Sequence, residues 1–194
     1  SDRYQDLPNA ANDARSISAA LKDLKFEVIT GVDLTQEAWK KILDDVSGRL
    51  DSYDAVVVYY AGHGVQFQGE NFLLPVDALD PDSMESLVGK AIKLNDIIRA
   101  FASRDHQTLI FLDACRNNPL GSGADALAGL AQLDVGENTF VAFATEPGKV
   151  TADGTGTNSP FTTAMLKHLT KTNTGTIFDT MLSVKKEIDA LTAG

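Results

Sequence analysis

Apolar positions recur along the chain in two periods. Ala14, Ile17, Ala20, Leu21 and Leu24 fall at the spacing of one helix face, with Asn12 or Asp13 expected as the cap. Phe26-Glu-Val-Ile-Thr30 alternates and predicts a short strand. Thr35 precedes a second helical pattern, whose inner face is Trp39, Ile42, Leu43, Val46 and Leu50. Asp54-Ala-Val-Val-Val-Tyr-Tyr60 is a continuous β-branched and aromatic run, as expected of a strand covered on both faces in a parallel sheet. Residues 65–76 read as a hairpin around Gln68-Gly69-Glu70-Asn71, and residues 77–92 as loop. A helix is expected over 94–103, and Thr108-Leu-Ile-Phe-Leu112 repeats the buried-strand pattern. After a Gly/Ala/Asn-rich stretch at 117–137, expected to be mobile, come a strand at 139–145, a Gly-rich loop, and helices at 160–169 and 177–191. Strands alternating with helices, with no repeat or linker between them, predict one α/β domain over 1–194: an open, mostly parallel sheet with helices on both faces.

Composition narrows the function classes. The chain has 194 residues, enough for one real core. Its 17 Lys and Arg against 27 Asp and Glu leave a net charge of −10, which argues against nucleic acid and anionic membranes as partners. One Cys excludes an intrachain disulfide and a Cys-rich zinc module. The run from Ala55 to Ala61 is far shorter than the roughly 20 residues of a membrane helix, and no signal-like segment opens the chain. A soluble protein of open compartment is expected. With only three His and no ligand spacing around His106 or His168, read as helical or surface residues, no metal cofactor is expected.

Open α/β sheets place their sites at the carboxyl ends of strands. Two buried strands here run into reactive side chains, His63 after Tyr60 and Cys115 after Leu112. If the strands are parallel neighbours, a thiol and an imidazole meet at one sheet edge, and imidazole is the usual base for a nucleophilic thiol. Gly62 and Gly64 allow close backbone approach, so the N–H groups of Gly64 and Cys115 are candidates for an oxyanion hole. Singly, each residue also fits an inert core role; the pairing is what points to catalysis.

Tyr60-Ala-Gly-His63-Gly64 followed by Asp113-Ala-Cys115-Arg116 resembles the His and Cys motifs of the caspase clan. His63 stands 52 residues before Cys115, and caspase-type enzymes place the two about 50 apart. Asp-x-Cys, in place of Gln-Ala-Cys, is similar to the paracaspase and metacaspase branch, bacterial orthocaspases included. Leu24 to Val28, Asp33 to Thr35, Asn71 to Asp77 and Ala144 to Gly148 continue the likeness in order over nearly the whole chain. The resemblance implies a caspase-like peptidase domain with Cys115 as nucleophile and His63 as general base and acid. The family's opening apolar strand and its last strand find no counterpart in the sequence. Some metacaspases respond to calcium, and Asp77-Ala-Leu-Asp80-Pro-Asp82 is an acidic stretch; an ordinary solvated loop is the favoured reading, and no cofactor is expected.

Asp113 precedes Cys115 by two residues, so in an extended segment its carboxylate belongs on the nucleophile's side. By resemblance, Asp13 matches an acidic pocket residue of the branch, and Asp153 stands where caspases proper carry an Arg. Three carboxylates around one pocket imply substrates with Arg or Lys at P1, since a guanidinium can bond a carboxylate bidentately. The ordinary roles are a helix cap for Asp13, a strand-end hydrogen bond for Asp113 and a solvated charge for Asp153. The expected partners are protein or peptide substrates; the oligomeric state stays open. The competing readings are a catalytically silent caspase-like adaptor and a receiver-like signalling domain, the latter lacking a Lys after its later strand. No Lys or Arg occurs between Asn117 and Gly148, so an enzyme specific for basic residues has no site in its own linker and is expected to work as a single chain.

Overall fold

The computed structural model describes residues 7–79, 82–102, 105–115, 135–144, 156–170, 173 and 175–192. They form two units, one between residues 33 and 144, the other from residues 7–32 together with 156–192.

The first unit is the sheet. Its strands are β1 (Ala55–Phe67), β2 (Glu70–Leu73), β3 (Ile92–Lys93), β4 (Gln107–Cys115) and β5 (Thr139–Phe143), in the spatial order β3-β2-β1-β4-β5. β1 belongs to both halves. Its residues 55–63 run parallel to β4, and its residues 64–67 fold back antiparallel on β2. The expected hairpin forms with Phe67 opposite Glu70, and its turn residues Gln68 and Gly69 both have positive φ, 49° and 77°. That two-residue geometry matches the strand twist. β5 lies parallel beside β4, and β3 pairs antiparallel with β2.

Helices pack against this sheet. α2 (Gln36–Ser47) begins, as expected, at Thr35, whose hydroxyl accepts the Ala38 N–H. With α4 (Leu94–Phe101) it closes a core of Leu94, Ile97, Ile98, Phe101, Val56, Ile110, Leu112 and Leu73. The neighbours of Leu73, Phe72 and Leu74, point the other way into a second cluster with Val65 and Leu87. Leu87 comes from α3 (Met84–Lys90). α3, β3 and a 3₁₀ turn at Val76–Ala78 occupy the stretch expected to be loop. Each is too short to print a period on the sequence; Leu87 is the one α3 residue that is fully buried.

β4 carries the deepest strand positions: Ile110, Phe111 and Leu112 are buried, while in the equally apolar run of β1 only Val56 is. His106, expected in a helical or surface setting, is buried at the entry to β4. Its ring nitrogen Nε2 bonds the Phe101 carbonyl at 2.8 Å, and the Thr108 hydroxyl donates to the same oxygen at 2.7 Å, so the two close the end of α4.

The second unit is helical: α1 (Ala10–Asp23) packs on α5 (Pro160–His168), and α5 on α6 (Ile177–Thr192). Its buried apolar side chains are Ile17, Leu21, Phe161, Ala164, Met165 and Val184. α1 starts one turn earlier than expected, at Asn9, which makes no side-chain cap; neither Asn12 nor Asp13 caps it. Its far end closes with Phe26 N–H on the Leu21 carbonyl and Lys25 N–H on that of Lys22, Lys25 taking the left-handed conformation. Residues 26–30, expected as a strand, are not one. Alternation suits them to a ladder, but they pair with no strand among the described residues. A side-chain bond of 2.6 Å between Ser18 and Thr30 fastens the segment to α1.

Candidate active site

The parallel register between β1 and β4 runs without a slip from Ala55 opposite Gln107 to His63 opposite Cys115. Adjacent strands lie about 4.8 Å apart. The backbones of the two candidate catalytic residues therefore stand side by side at the carboxyl end of the β1–β4 parallel ladder. Asp113 lies two residues earlier on β4, opposite Ala61, and is buried.

The hairpin fixes what the backbone offers beyond His63. Leu74 N–H donates to the His63 carbonyl at 3.0 Å, and Gly64 faces Leu73 in the ladder. In an antiparallel pair, hydrogen-bonded and non-bonded positions alternate. The pairing of His63 with Leu74 leaves Gly64 at a non-bonded position, so its own N–H turns away from β2 toward the edge that β4 occupies. Gly64 is buried there.

Tyr60 supports the same peptide. Its hydroxyl donates to the His63 carbonyl at 2.7 Å and lies 3.4 Å from the Leu74 carbonyl. The ring packs on Trp39 of α2, centroids 5.2 Å apart and planes tilted 40°. Part of Tyr60 is exposed, yet its hydroxyl is desolvated, and this burial raises the phenol well above the ordinary tyrosine range. Gly62 makes room for it. Residues 60 and 62 share one face of β1, and a Cβ on Gly62 would collide with the Tyr60 hydroxyl and stand 2.7 Å from ring atom Cζ.

Asp13 belongs to the helical unit. It is buried on α1, and its Oδ1 accepts from Asn158 Nδ2 at 2.8 Å and from Ser159 N–H at 3.0 Å. Asn12 Nδ2 donates to the Thr157 carbonyl beside it. Ser159 is the N-cap of α5, its hydroxyl accepting the Thr162 N–H at 3.0 Å. Asp13 thus joins α1 to the start of α5. Asp153 lies outside the described residues, as does most of the stretch 117–137. In the acidic stretch after β2, Asp77 accepts the Gln36 N–H at 3.0 Å. Among the described residues no group of three or more His, Cys, Asp or Glu is placed to hold a metal ion, and no helix is long and apolar enough to cross a membrane.

Sequence reasoning found the register pair but not the support behind it. The signal for Tyr60 was present: a Tyr two residues before a Gly on one face of a strand, with an aromatic on the helix above.

A mixed α/β sheet that ends two adjacent parallel strands in His and Cys, with a hairpin folding back just beyond the His, defines a caspase-like fold. The chain belongs to the caspase-domain family of cysteine peptidases, whose profile matches residues 2–193. It is 28% identical over 134 residues to the human mucosa-associated lymphoid tissue lymphoma translocation protein 1, a match covering 69% of this chain and 16% of that protein. The mouse homolog of that protein is also 28% identical over 134 residues, with 15% of its length covered. The aligned part of the chain thus spans about a sixth of the curated relatives it matches.

Proposed function

We propose that this domain is a cysteine endopeptidase that cleaves protein or peptide substrates after Arg or Lys through a Cys115–His63 dyad. The observation that carries the reading is the parallel register that sets His63 opposite Cys115. In this mechanism the His63 imidazole takes the Cys115 thiol proton, and the thiolate sulfur attacks the scissile carbonyl carbon. The carbonyl electron pair moves to oxygen, where the N–H groups of Gly64 and Cys115 receive the negative charge. Collapse expels the amine, which takes the proton from His63, and leaves a thioester. His63 then removes a proton from water, the hydroxide attacks the thioester carbon, and collapse returns the proton to sulfur and frees the acid.

The oxyanion assignment draws on the glycine at position 64, beside which another backbone can approach closely. The basic P1 preference draws on Asp113, a buried carboxylate two residues before Cys115 on the same strand. A substrate guanidinium would neutralise it, whereas a substrate carboxylate would face like charge with little water. A role in substrate binding for Asp13 and Asp153 is implied by the family resemblance alone.

A peptide panel that varies only P1, run on wild type and Cys115→Ala, tests the reading. Cleavage after Arg, then Lys, and none with Cys115→Ala is expected. Turnover that survives in Cys115→Ala overturns the dyad, and faster cleavage after Asp than after Arg overturns the specificity. A folded wild-type protein that cleaves no peptide points instead to the silent adaptor.

A further inference from the structure

We infer that Tyr60 is a positioning residue for the general base: its hydroxyl, with the Leu74 N–H, clamps the His63 carbonyl and so fixes the backbone from which the imidazole projects. The inference rests on the dyad reading and adds a residue to it that never touches substrate.

The His63 carbonyl receives two donors, Tyr60 Oη at 2.7 Å and Leu74 N at 3.0 Å, which together occupy the capacity of one carbonyl oxygen. The two donors come from different places. Leu74 follows β2, while Tyr60 reaches along β1 itself over the bare face of Gly62. The His63 peptide is therefore held from both arms of the hairpin, at the residue where β1 changes from its parallel to its antiparallel partner. Trp39 packs against the Tyr60 ring from α2. The hydroxyl's displaced ionisation agrees with a donor kept protonated at every working pH.

A base that must meet a thiol proton is sensitive to small displacements of its backbone, because reactivity depends on the reacting atoms lying within a narrow range of separations. Loss of one clamp donor should thus weaken turnover more than substrate binding.

The test is Tyr60→Phe, which keeps the ring and removes the donor. Expected is a fall in kcat of about tenfold with KM within about twofold, the effect of one lost hydrogen bond that acts on the chemical step. Cys115 is the one thiol of the chain, so the pH profile of its alkylation by iodoacetamide reads the dyad directly, without substrate. In Tyr60→Phe the midpoint of that profile should move to higher pH, because a displaced imidazole stabilises the thiolate less. A merely structural role would lower the melting temperature and leave the midpoint where it was. Wild-type kcat together with a wild-type alkylation profile in folded Tyr60→Phe overturns the inference. Should that variant not fold, Trp39→Leu loosens the ring while leaving the hydroxyl in place. It should lower kcat and raise the midpoint in the same directions, and an unchanged profile is again the overturning result. If Cys115→Ala still cleaves peptides, the dyad reading itself fails, whatever Tyr60→Phe does.

Discussion

Replacing Asp13 with Ala removes the acceptor of two hydrogen bonds that tie α1 to α5, 2.8 Å from Asn158 and 3.0 Å from Ser159. The two donors are not left in the same condition. Asn158 Nδ2 keeps a second contact, Ser16 Oγ at 3.2 Å, and is part-exposed. The Ser159 N–H belongs to a buried residue and loses its Asp13 acceptor. A hydrogen bond to a charged group contributes about 1.5–3 kcal/mol, and a stranded buried donor costs about 1–3 kcal/mol. Allowing nearly nothing for Asn158, the loss comes to about 3 kcal/mol. For a chain of this length that lowers the melting midpoint by about 6–12 °C. Thermal melts followed by circular dichroism measure it. Asp13→Asn separates acceptor from charge: its amide oxygen still accepts, so the midpoint should fall by less than half as much. The same variant asks whether the charge serves substrate, through the ratio of Arg to neutral P1 cleavage. A melting curve for Asp13→Ala within 2 °C of wild type, roughly the effect of a neutral surface change, would refute the assignment of Asp13 to the α1–α5 junction.

Three further outcomes follow from the proposed chemistry. Cys115→Ala should lose about a thousandfold or more of peptidase activity with an unchanged melting curve, as expected for a nucleophile, and kinetics beside calorimetry will read both. Asp113→Asn should reduce the preference for Arg over uncharged P1 residues by roughly tenfold, seen as a change in the kcat/KM ratio across the peptide panel; an unchanged ratio would move the pocket elsewhere. Active protein incubated for hours should keep its full mass. A nick between residues 117 and 148 that Cys115→Ala prevents would contradict either the basic specificity or the single-chain state.

The register that joins His63 to Cys115 was legible because two long apolar runs end in chemistry, and runs of that kind lie side by side in parallel sheets. Thr35 as a cap and a turn within Gln68 to Asn71 were legible because each depends on residues three or fewer positions away. Phe26 to Thr30 misled for the opposite reason: alternation is a property of the segment, whereas a strand is a property of a pair. α3 and β3 were too short to carry a period. His106 looked like a surface residue because nothing nearby in sequence announces that the Phe101 carbonyl needs a donor. Asp13 drew attention as an acidic residue at a helix start, but its partners Asn158 and Ser159 lie 145 and 146 positions away, beyond any local pattern.

That separation gives the two units different schedules at the ribosome. The sheet comes from one continuous stretch of chain, so its strands can pair in the order in which they emerge. α1 leaves first and must wait for α5, which is about 145 residues behind it. At typical elongation rates of about 5–20 residues per second, the delay is on the order of 7–30 s. Throughout it, the Asp13 carboxylate lacks the partners that bind it in the finished protein, and α1 carries its apolar stripe of Ile17 and Leu21 without α5 beside it. The nascent chain therefore offers a sticky amphipathic helix to whatever holding factor is near the exit tunnel, and a pause in translation before residue 156 would lengthen that exposure.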